Sequence, residues 1–319
     1  MTMVSADRMQ AKARIASGEV RIAQTIAICT HDRPEMLARC LAALADADRP
    51  ELPFEIMVVA NACRAETLDV ACRFRAALPL VLVEEKRPGL SHARNRAIAD
   101  ARGELIVWLD DDALARAGLL RAYEAAARTF PNDAIFGGAI LPLFEAGPPD
   151  WLAAGLAAVE TVYAVRRPQA AIPFRGGGVD TPFGANFAIR TAVQRRFPFD
   201  AALGRRPGDF HAGGEEVAMI DTALAAGHKG RWVPHAIVDH VIEPVRQTEE
   251  WIWARYAAFG RMQDPSEYSN SWLSLRALRH RRTYLRARKT LPPAAWLPLL
   301  VKAAIAAGRL EAGRAVETI

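Results

Sequence analysis

Apolar runs of strand length alternate with amphipathic stretches of helix length from Thr25 to Leu109, and this alternation constrains the chain more than any other feature. Strands are expected at Thr25 to Cys29, Phe54 to Ala60, Leu80 to Val83 and Leu105 to Leu109, and helices at Pro34 to Ala45, Ala65 to Ala77 and Leu90 to Ala101. Strand and helix in strict succession imply parallel pairing and a doubly wound α/β sheet, with the turn after every strand at one edge. Those turns are Thr30-His31-Asp32-Arg33, Asn61-Ala62-Cys63-Arg64, Glu85-Lys86-Arg87-Pro88-Gly89 and the triplet Asp110-Asp111-Asp112. Open α/β folds bind ligands at that edge.

The triplet admits two readings. Two carboxylates at i and i+2 can meet one divalent ion, and a hard cation such as Mg²⁺ or Mn²⁺ commonly brings a diphosphate with it. Alternatively, the acids decorate the start of a helix expected over Ala113 to Phe130, where the helix dipole favours negative charge. No G-x-G-x-x-G follows the first strand and no G-x-x-x-x-G-K-[ST] occurs, which argues against a dinucleotide dehydrogenase and a P-loop NTPase.

Composition fits a globular α/β chain: 319 residues, 51% hydrophobic. Cys29, Cys40, Cys63 and Cys72 form no C-x-x-C pair and read as small buried residues of a reducing compartment. Residues 1–20 lack the uninterrupted apolar core of a signal peptide, and no stretch of membrane-spanning length is free of charge. A cytoplasmic protein is expected, with peripheral contact to the inner face of the membrane as a further possibility. The net charge of +5 belongs to the tail: Ser271 to Ile319 holds ten Lys/Arg and two acids, leaving 31 basic and 34 acidic residues before it. Its arginines interleave with Trp272, Leu273, Leu275, Leu278, Tyr284 and Leu285, which suits either a helix on an anionic membrane or a helical pair packed on the protein with its arginines in water. Nucleic acid is not expected, since no recognised binding module accompanies the charge.

Several motifs in order carry a family resemblance. Thr30-His31-Asp32-Arg33-Pro34, Gly89-Leu90-Ser91-His92-Ala93-Arg94-Asn95, Trp108-Leu109-Asp110-Asp111-Asp112, Gly184-Ala185-Asn186, Gly213-Gly214-Glu215-Glu216 and His240 resemble the motifs of the family 2 glycosyltransferases, over about Thr25 to Gln263. The resemblance implies a GT-A fold, here a Rossmann-like doubly wound mixed sheet with a helical C-terminal extension. It also implies inverting transfer of a sugar from a nucleotide-diphosphate donor to a glycan or lipid-linked acceptor, with Mn²⁺ or Mg²⁺ as cofactor. The expected organisation is an N-terminal extension (1–24), a glycosyltransferase domain (25–263) with a nucleotide-binding half (25–143) and an acceptor and catalytic-base half (144–263), and a basic helical region (264–319).

Carried over by position, Thr30, His31, Asp32, Arg33, Asn61, Arg94, Asp110 and Asp111 would surround the donor. Asp112, Asp110 and His240 would hold the metal, although a histidine beside Asp239 also suits a structural hydrogen bond. Glu216 is the candidate general base, with Glu215 beside it. The family's usual pair here is Glu-Asp, so Glu216 carries one extra methylene. Gly184, Ala185, Asn186 and Trp251 are candidates for the acceptor side, and Phe174, Phe183 and Phe187 either stack on a sugar or fill the core. Phe144 to Phe183 reads as an acceptor-side insertion with a mobile loop at Gly176-Gly177-Gly178, and Thr248 to Gln263 as a helix covering it. Ala60-Asn61 stands where the family commonly has a base-reading acid, so uridine diphosphate is the first expectation for the donor and guanosine diphosphate the second. A sugar nucleotidyltransferase, or a non-catalytic nucleotide-sugar or glycan-binding protein at the membrane, would share this first half.

Overall fold

The computed structural model describes residues 21–178, 180–205 and 213–317, with side chains to residue 315. Most of the expected N-terminal extension, 1–20, and the last residues of the basic tail lie outside the described residues. The chain divides into two compact units.

Of the described residues, the first unit comprises 21–141, 166–178, 180–205 and 213–240. Strand β1 (Gln24–Thr30) is followed by helix α1 (Pro34–Asp46), β2 (Phe54–Asn61), α2 (Ala65–Phe74), β3 (Leu80–Glu85), α3 (Leu90–Asp100) and β4 (Leu105–Asp110). β1 pairs in parallel with β2 and β4, and β2 with β3. Ile26, Ile28, Ile56, Val58, Ile106 and Val107 are fully enclosed. Strands covered on both faces read as continuous apolar runs, which is why the sequence announces them.

The triplet does not open a helix. β5 (Ala113–Ala115) follows it, and α4 starts only at Leu119 and ends at Thr129. Beyond β6 (Ile135–Phe144), a short β7 (Pro173–Phe174) and β8 (Asn186–Arg190) come α6 (Thr191–Gln194), α7 (Glu215–Ala225) and the long β9 (Gly230–Ile242), with α5 (Asp150–Gly155) between β6 and β7. The sheet runs β3-β2-β1-β4-β8-β6-β9-β5, with β7 on β9. β8 is antiparallel to β4 and β6, and β5 to β9. This mixed sheet flanked by helices is GT-A-like in architecture.

Of the described residues, the second unit takes 142–165 and 241–317. It holds α5, α8 (Glu249–Arg261), α9 (Asn270–Thr290) and α10 (Pro293–Glu317). Thr248 caps α8 by accepting the Trp251 backbone N–H at 3.1 Å. Leu152, Tyr163, Ile252, Trp296, Leu297 and Leu300 form its core. α8 and α10 approach closely because both are glycine at the crossing: a Cβ on Gly308 would lie 1.9 Å from the Ala257 carbonyl oxygen. Glu249 joins α8 to α9 by accepting from Arg288 and from the Tyr284 hydroxyl at 2.7 Å. By length and composition α10 could cross a membrane, with only about a third of that stretch buried in the fold.

Candidate active site

Arg94 organises one side of the site. It leaves the first turns of α3, is buried, and reaches two acids, one at the end of β4 and one at the start of α7. Its Nη2 donates to Asp110 Oδ1 at 3.2 Å and its Nη1 to Glu215 Oε1 at 2.6 Å, with Glu216 Oε2 at 4.0 Å. The guanidinium lies 5.2 Å from the Phe199 ring. It fits only because Gly184 has no side chain: a Cβ there would meet Nη2 at 2.2 Å.

α7 opens at Glu215 because Gly214 takes a left-handed turn, φ +90°, that residues with a side chain avoid. Glu215 is buried, and its Oε2 has no hydrogen-bond partner among the described residues. Burial, with the neighbouring Glu216 charge behind it, pushes its carboxyl up to about 7 against the pull of Arg94. Glu216 is less enclosed and accepts the Gly184 backbone N–H at 3.3 Å. The pair thus divides into an inner carboxyl tied to an arginine and an outer one closer to solvent.

The three aspartates have different sets of partners, with Arg33 shared between the second and the third. Asp110 goes to Arg94. Asp111 is buried, accepts the Thr30 hydroxyl at 2.7 Å and pairs with Arg33 at 2.5 Å. Burial, opposed by Arg33 and reinforced by Asp112, raises its carboxyl to about 6. Asp112 lies 3.3 Å from Arg33 and, through Oδ1, 3.3 Å from His240 Nε2. The β5–β9 register, Ala113 opposite His240, sets this last pair. Asp239, the structural partner that sequence offered for His240, pairs instead with Arg116 at 2.7 Å.

Among the described residues, no group of three or more His, Cys, Asp or Glu side chains converges on one point. Asp112 and His240 nonetheless present a buried oxygen and a ring nitrogen to each other. One or two protein donors suit a hard cation that takes its other ligands from a diphosphate and water.

The nucleotide-side turns are knotted together. His31 Nδ1 is 2.6 Å from the Asn61 carbonyl oxygen. The Asn61 amide, expected to read a base, donates to the Glu85 and Arg87 carbonyls at 3.2 and 2.7 Å and accepts from Gly89 N–H at 2.8 Å. Asp32 accepts from the Arg64 backbone and Nε at 2.8 and 3.0 Å. Asp32 and Ala62 hold positive φ angles of 47° and 50°, backbone strain of the kind that collects at functional turns.

The remaining candidates have other neighbours. Asn186 is fully enclosed, donating to the Ala139 and Ala236 carbonyls and accepting from the Tyr123 hydroxyl; Ala185 is buried before it. Phe174 and Phe187 fill the core against Trp232 and Trp108, while Phe183 lies under Arg166 at 3.8 Å. Trp251 belongs to the second unit, stacked on Tyr163 at 5.7 Å. The glycine loop expected to be mobile is pinned: Gly177 N–H donates to Asp221 at 3.0 Å and the Gly178 carbonyl accepts from Arg166 at 2.9 Å. One residue of these turns was not among the candidates. Glu85, at the end of β3, binds Arg87 through both carboxylate oxygens. Its signal was present, an acid at a strand end with an arginine two places on.

Residues 25–155 match the family model described as glycosyl transferase family 2. Over that stretch the chain resembles the family. The glycosyltransferase AglE of Haloferax volcanii is 28% identical over 90 residues, 28% of this chain and 30% of AglE. The uncharacterized glycosyltransferase YfnE of Bacillus subtilis is 31% identical over 86 residues, 26% and 22% of the two chains. The chain thus spans less than a third of the length of these curated relatives. Among solved structures, TarS 1–349 of S. aureus superposes with a TM-score of 0.54 at 14% identity, covering 93% of this chain and 92% of that one. The mannosyltransferase PcManGT of Pyrobaculum calidifontis, solved with GDP-Man and Mn²⁺, gives 0.53 at 18% identity, covering 98% and 84%. At such identities these likenesses show the fold alone.

Proposed function

We propose that the protein is a metal-dependent, inverting glycosyltransferase that moves a sugar from a nucleotide-diphosphate donor to a hydroxyl of a glycan or lipid-linked acceptor. The observation that carries this reading is the Asp112–His240 pair at 3.3 Å, made by the register of β5 on β9. Asp112 and His240 would hold Mn²⁺ or Mg²⁺, which would supply an electrophile to the oxygens of the departing diphosphate. Thr30, His31 and Arg33 line the donor side.

Glu216 is assigned as general base. Its carboxylate takes the proton of the acceptor hydroxyl as that oxygen bonds to the anomeric carbon and the bond from the anomeric carbon to the diphosphate breaks. Glu215, held by Arg94, keeps α7 and the strand end bearing Asp110 in register with each other. The greater exposure of Glu216 and the engagement of Glu215 by Arg94 support this division.

Uridine diphosphate is the first donor proposed and guanosine diphosphate the second. TarS has been solved with UDP and with UDP-GlcNAc, and PcManGT with GDP-Man. The commitment of the Asn61 amide to loop carbonyls leaves base recognition to other groups. The exposed face of α9, with Trp272, Leu275, Leu278 and Leu285 among arginines, supports peripheral attachment to an anionic membrane, where acceptors for surface polysaccharide or glycolipid synthesis reside.

The test is a thermal-shift screen of UDP, GDP, TDP and CDP and their sugars, with and without Mn²⁺, followed by turnover with the donor found. A ligand at a hundredfold its dissociation constant stabilises by about 2.7 kcal/mol, a shift of a few degrees. A Mn²⁺-dependent shift for one nucleotide that disappears in Asp112→Ala is expected. A full shift in that variant overturns the metal assignment, and donor binding without transfer to any acceptor fraction overturns the catalytic one.

A further inference from the structure

Within the second unit a cavity of about 460 Å³ opens between α9 and α10. Arg276 and His280 reach it from α9, Lys302 and Arg309 from α10, and Leu273 and Ile305 form its apolar floor. No acid lines it. Asp264, whose carbonyl meets Arg309, accepts the Ser266 N–H at 2.8 Å through its carboxylate, and Glu311 pairs with Arg261 at 3.1 Å. Burial, followed by the fields of Arg276, Arg279 and Lys302, holds the His280 imidazole below its ordinary value, as expected where positive charge gathers without a counter-charge.

The lip of the cavity is a ladder of cations and rings. Arg309 lies over Tyr268 at 4.7 Å, Tyr268 stacks on Trp272 at 4.2 Å and 11°, and Arg276 lies over Trp272 at 5.0 Å. Arg309 also donates to the Asp264 carbonyl. The stack fixes two guanidiniums at the mouth while Trp272 and Met262 stay about half exposed beside them. A cationic interior wants a compact anion. An exposed indole and thioether at the mouth suit an apolar body attached to that anion, and Trp and Tyr favour the headgroup level of a bilayer for the same reason.

We propose that this cavity binds the phosphate headgroup of an anionic lipid. Arg276 and Lys302 clamp the phosphate oxygens, His280 donates from the side, and Trp272 enters the interfacial layer. The site deepens the membrane part of the reading above and is independent of the catalytic carboxylates. It differs from diffuse attraction by the arginine-rich face of α9, because it assigns binding to particular side chains.

The experiment measures binding of the full chain to phosphatidylcholine vesicles with and without phosphatidylglycerol, for the wild type, Arg276→Ala/Lys302→Ala and Arg281→Ala/Arg282→Ala. Each pair removes two exposed charges, and the second lies outside the cavity. Diffuse attraction costs about fivefold per charge and weakens both pairs alike. The cavity site predicts that the Arg276/Lys302 variant loses about tenfold more than the Arg281/Arg282 variant, with Lys302→Arg close to wild type and unfolding temperatures unchanged. Equal losses in the two pairs overturn the cavity site while leaving membrane attachment standing. Failure of the wild type to bind phosphatidylglycerol vesicles overturns both. Binding of inorganic phosphate that depends on Arg276 and Lys302, without vesicle binding, makes the occupant a soluble anion and overturns the lipid assignment.

Discussion

Gly184 and Arg94 occupy adjoining space: a Cβ on the glycine would fall 2.2 Å from the guanidinium Nη2. The Gly-Ala-Asn motif therefore clears a path for the arginine that joins Asp110 to Glu215. Gly184→Ala is expected to displace Arg94 and strand two acids, at a cost of about 3 kcal/mol, the size seen when one partner of a buried ion pair is lost. Urea denaturation of the variant measures it, and a loss under half that size would mean that Arg94 reaches its acids by another route.

Replacing the outer carboxylate tests the base. Glu216→Gln should lower turnover by about 10² to 10⁴, the range of general base catalysis, with donor affinity unchanged. Glu215→Gln should instead lower stability, because Arg94 loses its nearest acid. Full turnover in Glu216→Gln, measured by nucleoside diphosphate release, would move the base elsewhere.

His240→Ala and Asp112→Ala should each abolish the Mn²⁺-dependent part of nucleotide binding while the apo unfolding temperature stays within a few degrees. Calorimetric titration of Mn²⁺ in the presence of the nucleoside diphosphate reads this directly. An unchanged metal affinity in either variant removes that residue from the ligand set.

The acid limb of stability should involve Glu85. Hydrogen bonds from Arg87 hold its carboxyl at about 2, below its ordinary 4.5, so the unfolded chain binds the proton more tightly than the folded one. The stabilisation is complete above pH 4.5 and is lost as pH falls toward 2. Glu85→Gln should therefore melt lower than wild type at neutral pH, and the difference should shrink across that window. A constant difference in melting temperature from pH 7 to pH 2.5 would remove Glu85 from the acid limb.

Much of the parallel half of the sheet was legible because buried parallel strands are continuous apolar runs. Ala113-Leu114-Ala115 was misread as helix because three small or apolar residues carry no period. What makes them a strand is pairing with Val238 to His240, distant in sequence. The Asp-rich motif was visible, but the separate destinations of its three carboxylates follow from Thr30, Arg33, Arg94 and His240, which only the fold assembles. Asn61 looked like a base-reading amide because its partners are backbone carbonyls, which leave no mark in a sequence.

The three-residue strand β5 makes the chemistry of the acid motif a matter of counting. Side chains alternate along a strand, so sliding β9 by one position against β5 would bring Asp239 opposite Ala113 in place of His240. Asp112 would then face a second carboxylate, two like charges in an enclosed space. An insertion or deletion of a single residue in β9 would thus alter the donor set without touching any of the residues that compose it.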